Sequence, residues 1–92
     1  MVAFQPDRRI YFGRIELGPQ PKTWIRKHNF ASNEFIEGQV KYGEWVKDDN
    51  RPNCYLIYAI TTEGIKDVTV LIKIKSLKTH VLVYHIHLLR NR

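Results

Sequence analysis

Three hydrophobic runs follow one another between residues 54 and 89, with only short turns between them. Their β-branched and aromatic residues are typical of strands. The first run, Cys54-Tyr-Leu-Ile-Tyr-Ala-Ile60, is apolar at every position, as expected of a strand that is central in a sheet or covered on both faces. The pattern therefore predicts an antiparallel meander around which the rest of the chain is organised.

The second run alternates along its length. Four β-branched residues occupy every other position: Val68, Val70, Ile72 and Ile74. Successive side chains on a strand leave opposite faces of the sheet. The spacing predicts that these four residues pack into the core, whereas Lys73 and Lys75 point away from it.

The third run, residues 80–89, predicts two unlike faces. One face is expected to carry Leu82, Tyr84, Ile86 and Leu88, and the other Val81, Val83, His85 and His87. If the second and third strands pair through the turn at residues 75–79, then both histidines share a sheet face with Lys73 and Lys75. The pairing register decides whether they meet.

The residues before the meander predict a strand and two helices. Strand-forming residues precede Gly18-Pro19, which predicts a strand over residues 9–17. Residues 1–8 offer no periodicity and are expected to form a flexible arm. Proline suits a first helical turn, so a short helix is predicted at residues 22–28.

A second helix is predicted to begin after the N-cap Ser32 and to end at Gly43. A short strand and a turn-rich loop at residues 48–53 then lead into the meander. The order of strand, two helices and further strands groups the helices on one face of a sheet. The sequence predicts a single α+β domain over residues 1–92, with the N-terminal strand and both helices on one face of an antiparallel sheet of three to four strands.

The charge of the chain indicates a polyanionic partner. The formal net charge is +6 and the pI is near 9.7. No aspartate or glutamate occurs between Val68 and Arg92, a region that holds five lysines and arginines. Clustered cations are the electrostatic footprint of nucleic-acid binding. The alternative is a solvated edge whose lysines block pairing with other chains.

The chain is expected to be soluble and cytoplasmic. No apolar run approaches the ~20 residues needed to span a bilayer, and the first residues lack the apolar segment of a signal peptide. Cys54 is the one cysteine, so it cannot form an internal disulfide, and its place in an apolar strand predicts burial.

Residues 24–35, Trp-Ile-Arg-Lys-His-Asn-Phe-Ala-Ser-Asn-Glu-Phe, resemble the segment Lys-His-Gly-hydrophobic-Ser-x-Glu-Glu-hydrophobic of the BrnT-like toxins. Those toxins belong to the RelE/ParE-like superfamily. The likeness continues through the helix into Gly43, the acidic turn and the later strands, and covers roughly residues 9–89. Asn29 stands where the family has glycine, and the family's arginine-rich end is reduced here to Arg90 and Arg92.

The resemblance implies a RelE-like fold whose helix-free sheet face meets RNA. It further implies an endoribonuclease that works without a metal or another cofactor and is neutralised by a small antitoxin protein. The same pattern occurs in related domains with no assigned function, since a fold does not determine an activity. A non-catalytic module that binds nucleic acid or protein is therefore the alternative.

Metal-free RNA cleavage needs a base for the 2′-hydroxyl proton, an acid for the leaving 5′-oxygen, and cations for the phosphate. Histidine suits the first two roles because its pKa lies near neutrality. We therefore take His85 and His87 as the candidate catalytic residues. The candidate phosphate-binding residues are Lys73, Lys75, Arg90 and, by its position in the family's Lys-His step, Lys27. His28 is expected to lie at a helix end.

Other interpretations of these residues stay open. The His-x-His pair could ligate zinc, although a third ligand is hard to name, or both histidines could be exposed strand residues without chemistry. Tyr58 and Tyr84 could stack on unpaired bases, but aromatic residues within apolar runs are more often core. The last strand could also pair with a second copy of the chain, giving a homodimer through an edge strand.

Overall fold

The computed structural model describes residues 14–28 and 30–89, together with the backbone of residues 3 and 4. Within these ranges, six strands form one sheet in the order β1-β3-β4-β5-β6-β2. The elements in chain order are β1 (Ala3–Phe4), β2 (Ile15–Leu17), α1 (Pro19–Lys27), α2 (Asn33–Tyr42), β3 (Trp45–Lys47), β4 (Cys54–Glu63), β5 (Lys66–Ser76) and β6 (Val81–Leu89).

The α+β class and the antiparallel meander of β4, β5 and β6 are confirmed. The prediction of three to four antiparallel strands is wrong, because the described sheet has six strands and is mixed. Ile15–Leu17 lies in the sheet and pairs parallel with β6, with Ile15 opposite Val81. An isolated strand carries no signal for its partner, and here it covers an edge that would otherwise be unpaired.

The N-terminal predictions fall partly outside the described residues. Residues 9–13 of the predicted first strand lie there, as does most of the predicted arm. Within that arm, Ala3 and Phe4 form β1 and pair with β3.

A side chain continues the pairing of β6 where β2 ends. The backbone nitrogen of Gly18 donates to the Val83 oxygen at 2.9 Å. The Gln20 amide then donates to the Ile86 oxygen and accepts from the Ile86 nitrogen, both at 2.8 Å. Gln20 thus takes the place of a strand residue and fixes the start of α1 against β6.

Both helices begin and end as local chemistry dictates. Prolines in the first turn of α1 need no backbone donor there, so that helix starts three residues earlier than predicted. Ser32 caps α2 by accepting from the Phe35 nitrogen at 3.2 Å, as predicted. Gly43 ends it, and a Cβ at this position would lie 2.5 Å from the Gln39 oxygen. Neither helix is of the length and apolarity that a membrane crossing requires.

The core lies between the two helices and one face of the sheet. Trp24 of α1 and Ile36 of α2 share a buried cluster with alternate residues of the central strands. The predicted inward set on β5 is buried throughout: Val68, Val70, Ile72 and Ile74. The helices cover only this face, so β4 is central but not covered on both sides.

A β-bulge at Tyr84 makes β6 change its alternation. Val83 pairs with Ile74 and His85 pairs with Lys73, which leaves Tyr84 as an extra residue. The predicted faces of this strand are therefore wrong before the bulge. Four residues, two on each side of the bulge, pack toward the core: Val81, Val83, Ile86 and Leu88.

Deleting Tyr84 should leave the protein folded, because a strand without the extra residue would alternate regularly and keep Ile86 opposite Ile72. We expect the free energy of unfolding to fall by about 1–2 kcal/mol for the lost half-buried ring. Deleting Leu71 of β5 is the matched control, since it would turn Ile72 outward and Lys73 inward and should unfold the protein. Circular dichroism with urea titration measures both; equal loss of structure would contradict the bulge assignment.

Candidate nucleic-acid interface

The sheet face opposite the helices, called the open face below, is ordered in rows by strand register. In one row Lys73 lies between Leu56 and His85. The open face includes residues from five strands: Glu16 of β2, Val46 of β3, Cys54, Leu56, Tyr58 and Ile60 of β4, Thr69, Leu71, Lys73 and Lys75 of β5, and Leu82, Tyr84, His85, His87 and Leu89 of β6. Basic, imidazole and aromatic groups therefore share one surface.

Four of the six predicted site residues come together on the open face. Lys73 lies directly opposite His85, and such cross-strand pairs place their Cβ atoms about 4.5–5.5 Å apart. Leu71 lies opposite His87, and Lys75 lies opposite Leu82 in the row beyond the bulge. The predicted sharing of one sheet face by the two histidines and two lysines is confirmed.

The other two predicted residues do not join them. Lys27 is the last residue of α1, which packs on the opposite face of the sheet, so the structure does not bring it to the open face. The Lys-His step that suggested it belongs to a helix end. Arg90 lies outside the described residues.

The two remaining histidines have local partners. His28 is the C-cap of α1, as predicted; its ring stacks on Trp24 with centroids 4.2 Å apart, and its Nδ1–H donates to the Trp24 oxygen at 2.9 Å. His80 contacts Glu16 of β2, with 2.9 Å between Nε2 and Oε1. His80 therefore lies at the β2 edge of the sheet, whereas His85 and His87 lie side by side on the open face.

The imidazoles of His85 and His87 lie close to each other. Their ring centroids are 5.8 Å apart and their planes are inclined by 42°. Two hydrogen bonds of about 2.8 Å to different oxygens of one phosphate group span more than this separation between the rings. The pair can therefore contact one phosphodiester group at the same time.

The surroundings of His85 favour its neutral form. Partial burial, the ammonium group of Lys73 and the neighbouring His87 together lower the pKa of His85 below its ordinary value of 6.5. The register of β5 and β6 accounts for this environment, because it places His85 opposite Lys73. At neutral pH the imidazole is therefore available to accept a proton.

An exposed aromatic residue extends the open face. Tyr58 of β4 is 51% exposed and lies in the same row as Leu71 and His87. Sequence reasoning favoured a core position for it, because a run that is apolar throughout does not reveal which of its faces is covered. The position of Tyr58 suits stacking on a base.

A cavity of about 410 Å³ opens at the end of the open face next to Lys75. Arg51 lines it from the loop before β4, and its guanidinium carbon lies 5.8 Å from the ring centroid of Tyr84. Cys54, buried as predicted, forms part of the wall. Sequence reasoning missed this cavity because the position of Tyr84 depends on the bulge.

Replacing Lys73 with Gln should raise the pKa of His85, because one of the cations that oppose its protonation is removed. NMR titration of the imidazole Hε1 resonances measures this, with Lys47→Gln on β3 as the control. Because the folded pKa of His85 is lowered, the unfolded chain binds the proton first, and stability should fall as pH drops below about 6.5. His85→Gln should lessen that fall. An unchanged His85 titration in Lys73→Gln would refute the electrostatic contact.

No metal-binding grouping of three His, Cys, Asp or Glu side chains occurs among residues 14–28 and 30–89.

Comparisons of the chain with family models, with curated proteins and with solved structures found no match. The resemblance to the BrnT-like toxins therefore stays a prediction, carried by residues 24–35 and the order of elements.

Proposed function

We propose that the open face binds single-stranded RNA and that His85 and His87 cleave it without a metal ion. The observation that carries the proposal is the adjacency of the two imidazoles, 5.8 Å between centroids, beside Lys73. Such a pair supplies a base and an acid to one phosphodiester, and the lysine supplies positive charge where phosphate charge develops.

The two histidines have different roles in this proposal. His85 accepts the proton of the 2′-hydroxyl, because its lowered pKa keeps it neutral. The 2′-oxygen then bonds to phosphorus as the bond from phosphorus to the 5′-oxygen breaks. His87, the exposed member of the pair, donates a proton to that leaving oxygen. The products are a 2′,3′-cyclic phosphate and a free 5′-hydroxyl.

Binding of the RNA strand uses the rest of the open face. Lys73 and Lys75 attract phosphates in neighbouring rows, and such contacts depend on salt because counterions are released. Tyr58 offers a face for a base, since stacking beside cations holds single strands without sequence preference.

The biological setting follows from the resemblance to the BrnT-like toxins. We expect growth arrest when the chain is produced alone in the cytoplasm of a bacterial cell. A small antitoxin protein that covers the open face would relieve the arrest. The proposed growth arrest and antitoxin are supported by the segment at residues 24–35 and by the α+β order of elements.

The test is cleavage of a mixed-sequence RNA by the purified protein in the presence of EDTA. The wild type should leave 2′,3′-cyclic phosphate ends, and His85→Ala/His87→Ala should leave the RNA intact. His80→Ala is the matched control, because that imidazole lies at the β2 edge with Glu16, and it should cleave like the wild type. An intact RNA with folded wild-type protein would refute the proposed nuclease.

RNA binding without cleavage is the second candidate, favoured by the exposure of His87 on an open surface. Active sites commonly exclude water to strengthen their electrostatic interactions. A binding module should retain salt-sensitive RNA affinity in His85→Ala/His87→Ala but lose most of it in Lys73→Ala/Lys75→Ala. Fluorescence anisotropy at two salt concentrations measures this binding, and the absence of RNA cleavage by the wild type separates this candidate from the nuclease.

A further inference from the structure

The cavity beside Lys75 is built by a loop with a fixed conformation. Asp48 accepts from the Asn50 nitrogen at 3.0 Å, and the Asn53 oxygen accepts from the Ser76 nitrogen at 2.8 Å. Asn53 itself has a φ of 60°, which asparagine tolerates better than most residues. Arg51 is thus presented by a loop that is tied to the end of β5.

The walls of the cavity are largely apolar and one of them is flat. The ring of Tyr84 forms one side, and Leu82 and Pro52 line others. The Tyr84 hydroxyl is buried beside the thiol of Cys54, and burial together with that thiol raises the pKa of Tyr84. Tyr84 lines the cavity, and the guanidinium of Arg51 lies over its ring.

The polar groups of the lining are mostly donors. Arg51 offers a planar fork of five N–H groups and Lys75 offers three, and neither can accept a hydrogen bond. None of the described lining residues is a carboxylate. An occupant that fits must pair a flat apolar body with an edge made of acceptors.

Guanine matches both requirements. Its O6 and N7 are adjacent acceptors, which arginine reads with two hydrogen bonds, whereas adenine presents one acceptor and one donor on the same edge. Unpaired RNA bases expose these edges and stack on aromatic side chains. A volume of about 410 Å³ lies in the range of small-molecule sites.

We propose that this cavity is a guanine-binding subsite for single-stranded RNA, with Arg51 reading the base and the Tyr84 ring supporting it. The inference rests on the proposed function for its RNA substrate. Lys75 connects the two sites, because it lines the cavity and lies one row from the row of Lys73 and His85 on the open face. The subsite would make the nuclease prefer RNA with a guanine next to the cleaved bond.

The first experiment uses mononucleotides and needs no cleavage. GMP, IMP, AMP and inorganic phosphate are titrated into the protein while the amide resonances of residues 51–54 and 82–84 are followed by NMR. GMP and IMP should bind about tenfold or more tightly than AMP, because both keep O6 and N7. Equal binding of GMP, AMP and phosphate would reduce the cavity to an anion site and overturn the proposal.

Variants identify the contact. Arg51→Gln and Arg51→Lys should both lose the preference for GMP, since a lysine is a point charge without the planar fork. Arg26→Gln on α1 is the control and should keep it. A preference that survives in Arg51→Gln would refute the assigned reader.

The second experiment separates the subsite from the proposed nuclease. A uridine tract with one guanosine is cleaved by the wild type and by Arg51→Gln, and the cut positions are mapped. A preference for GMP without RNA cleavage would support the guanine subsite and refute the nuclease. Cleavage at positions unrelated to guanine, together with no preference for GMP, would support the nuclease and refute the subsite.

Discussion

Replacing His85 alone with alanine is expected to slow RNA cleavage by about 10²–10⁴-fold, the usual loss when a positioned acid or base is removed. The reason is that His85 is the neutral imidazole of the pair, held so by burial, Lys73 and His87. RNA affinity should change little, because the proposed function assigns the phosphate contacts to the lysines. Single-turnover cleavage rates and anisotropy binding curves, measured on the same preparations, separate the two effects.

The pH dependence of cleavage distinguishes a proton-transfer role from a structural one. With His85 as base, kcat/KM should fall at low pH as that imidazole becomes protonated. Lys73→Gln should move this acid limb to higher pH, because it removes a cause of the lowered pKa of His85. If kcat/KM of His85→Ala still falls at low pH as in the wild type, a group other than His85 is the base.

The period of the hydrophobic pattern predicted the meander but not the faces of its last strand. A two-residue alternation holds only while each residue has one partner, and the bulge at Tyr84 breaks that condition. If residues 81–89 formed a regular strand, Val83 and His85 would lie on the same face. In the structure they lie on opposite faces. Nothing local in the sequence marks the bulge, because it arises from pairing with β5.

The sequence predicted that Lys73 and His85 share one face of the sheet, on the condition that β5 and β6 pair. The structure supplies the register that meets it. The helix cap at Ser32 could be predicted outright, because capping is a local interaction. By contrast, the cavity under Arg51 depends on a loop, a bulge and a neighbouring strand, so no single segment of sequence indicates it.

The bulge links the fold to the candidate site. It leaves Leu82, Tyr84 and His85 all on the open face, which a regular strand cannot do with adjacent residues. Tyr84 then supports the cavity while His85 faces Lys73 one position later. Bulges are over-represented beside active sites because they re-aim side chains in this way.

Replacing Trp45 with alanine should cost about 3–5 kcal/mol of unfolding free energy, as large aromatic truncations in cores do. Trp45 is 0% exposed, and its ring lies 5.4 Å from that of Tyr55. Its indole Nε1–H donates to the Val40 oxygen at 3.0 Å, which satisfies a carbonyl in the last turn of α2. A domain of ordinary stability, about 5–15 kcal/mol, would lose a large share of it.

Two further variants show how much of the stability lost in Trp45→Ala comes from the indole hydrogen bond, and they distinguish core residues from residues of the candidate site. Trp45→Phe keeps most of the ring but leaves the Val40 oxygen unpaired, which should cost about 1–3 kcal/mol of unfolding free energy.

Tyr58→Ala removes a ring that is 51% exposed and should cost less than about 1 kcal/mol of unfolding free energy. It should weaken RNA binding by about 1–3 kcal/mol because stacking is lost. Urea midpoints with unchanged slopes give the stabilities. If Trp45→Ala unfolded at the wild-type midpoint, the packing of α2 and β3 described above would be wrong, and if Tyr58→Ala bound RNA like the wild type, the open face would not be the stacking surface.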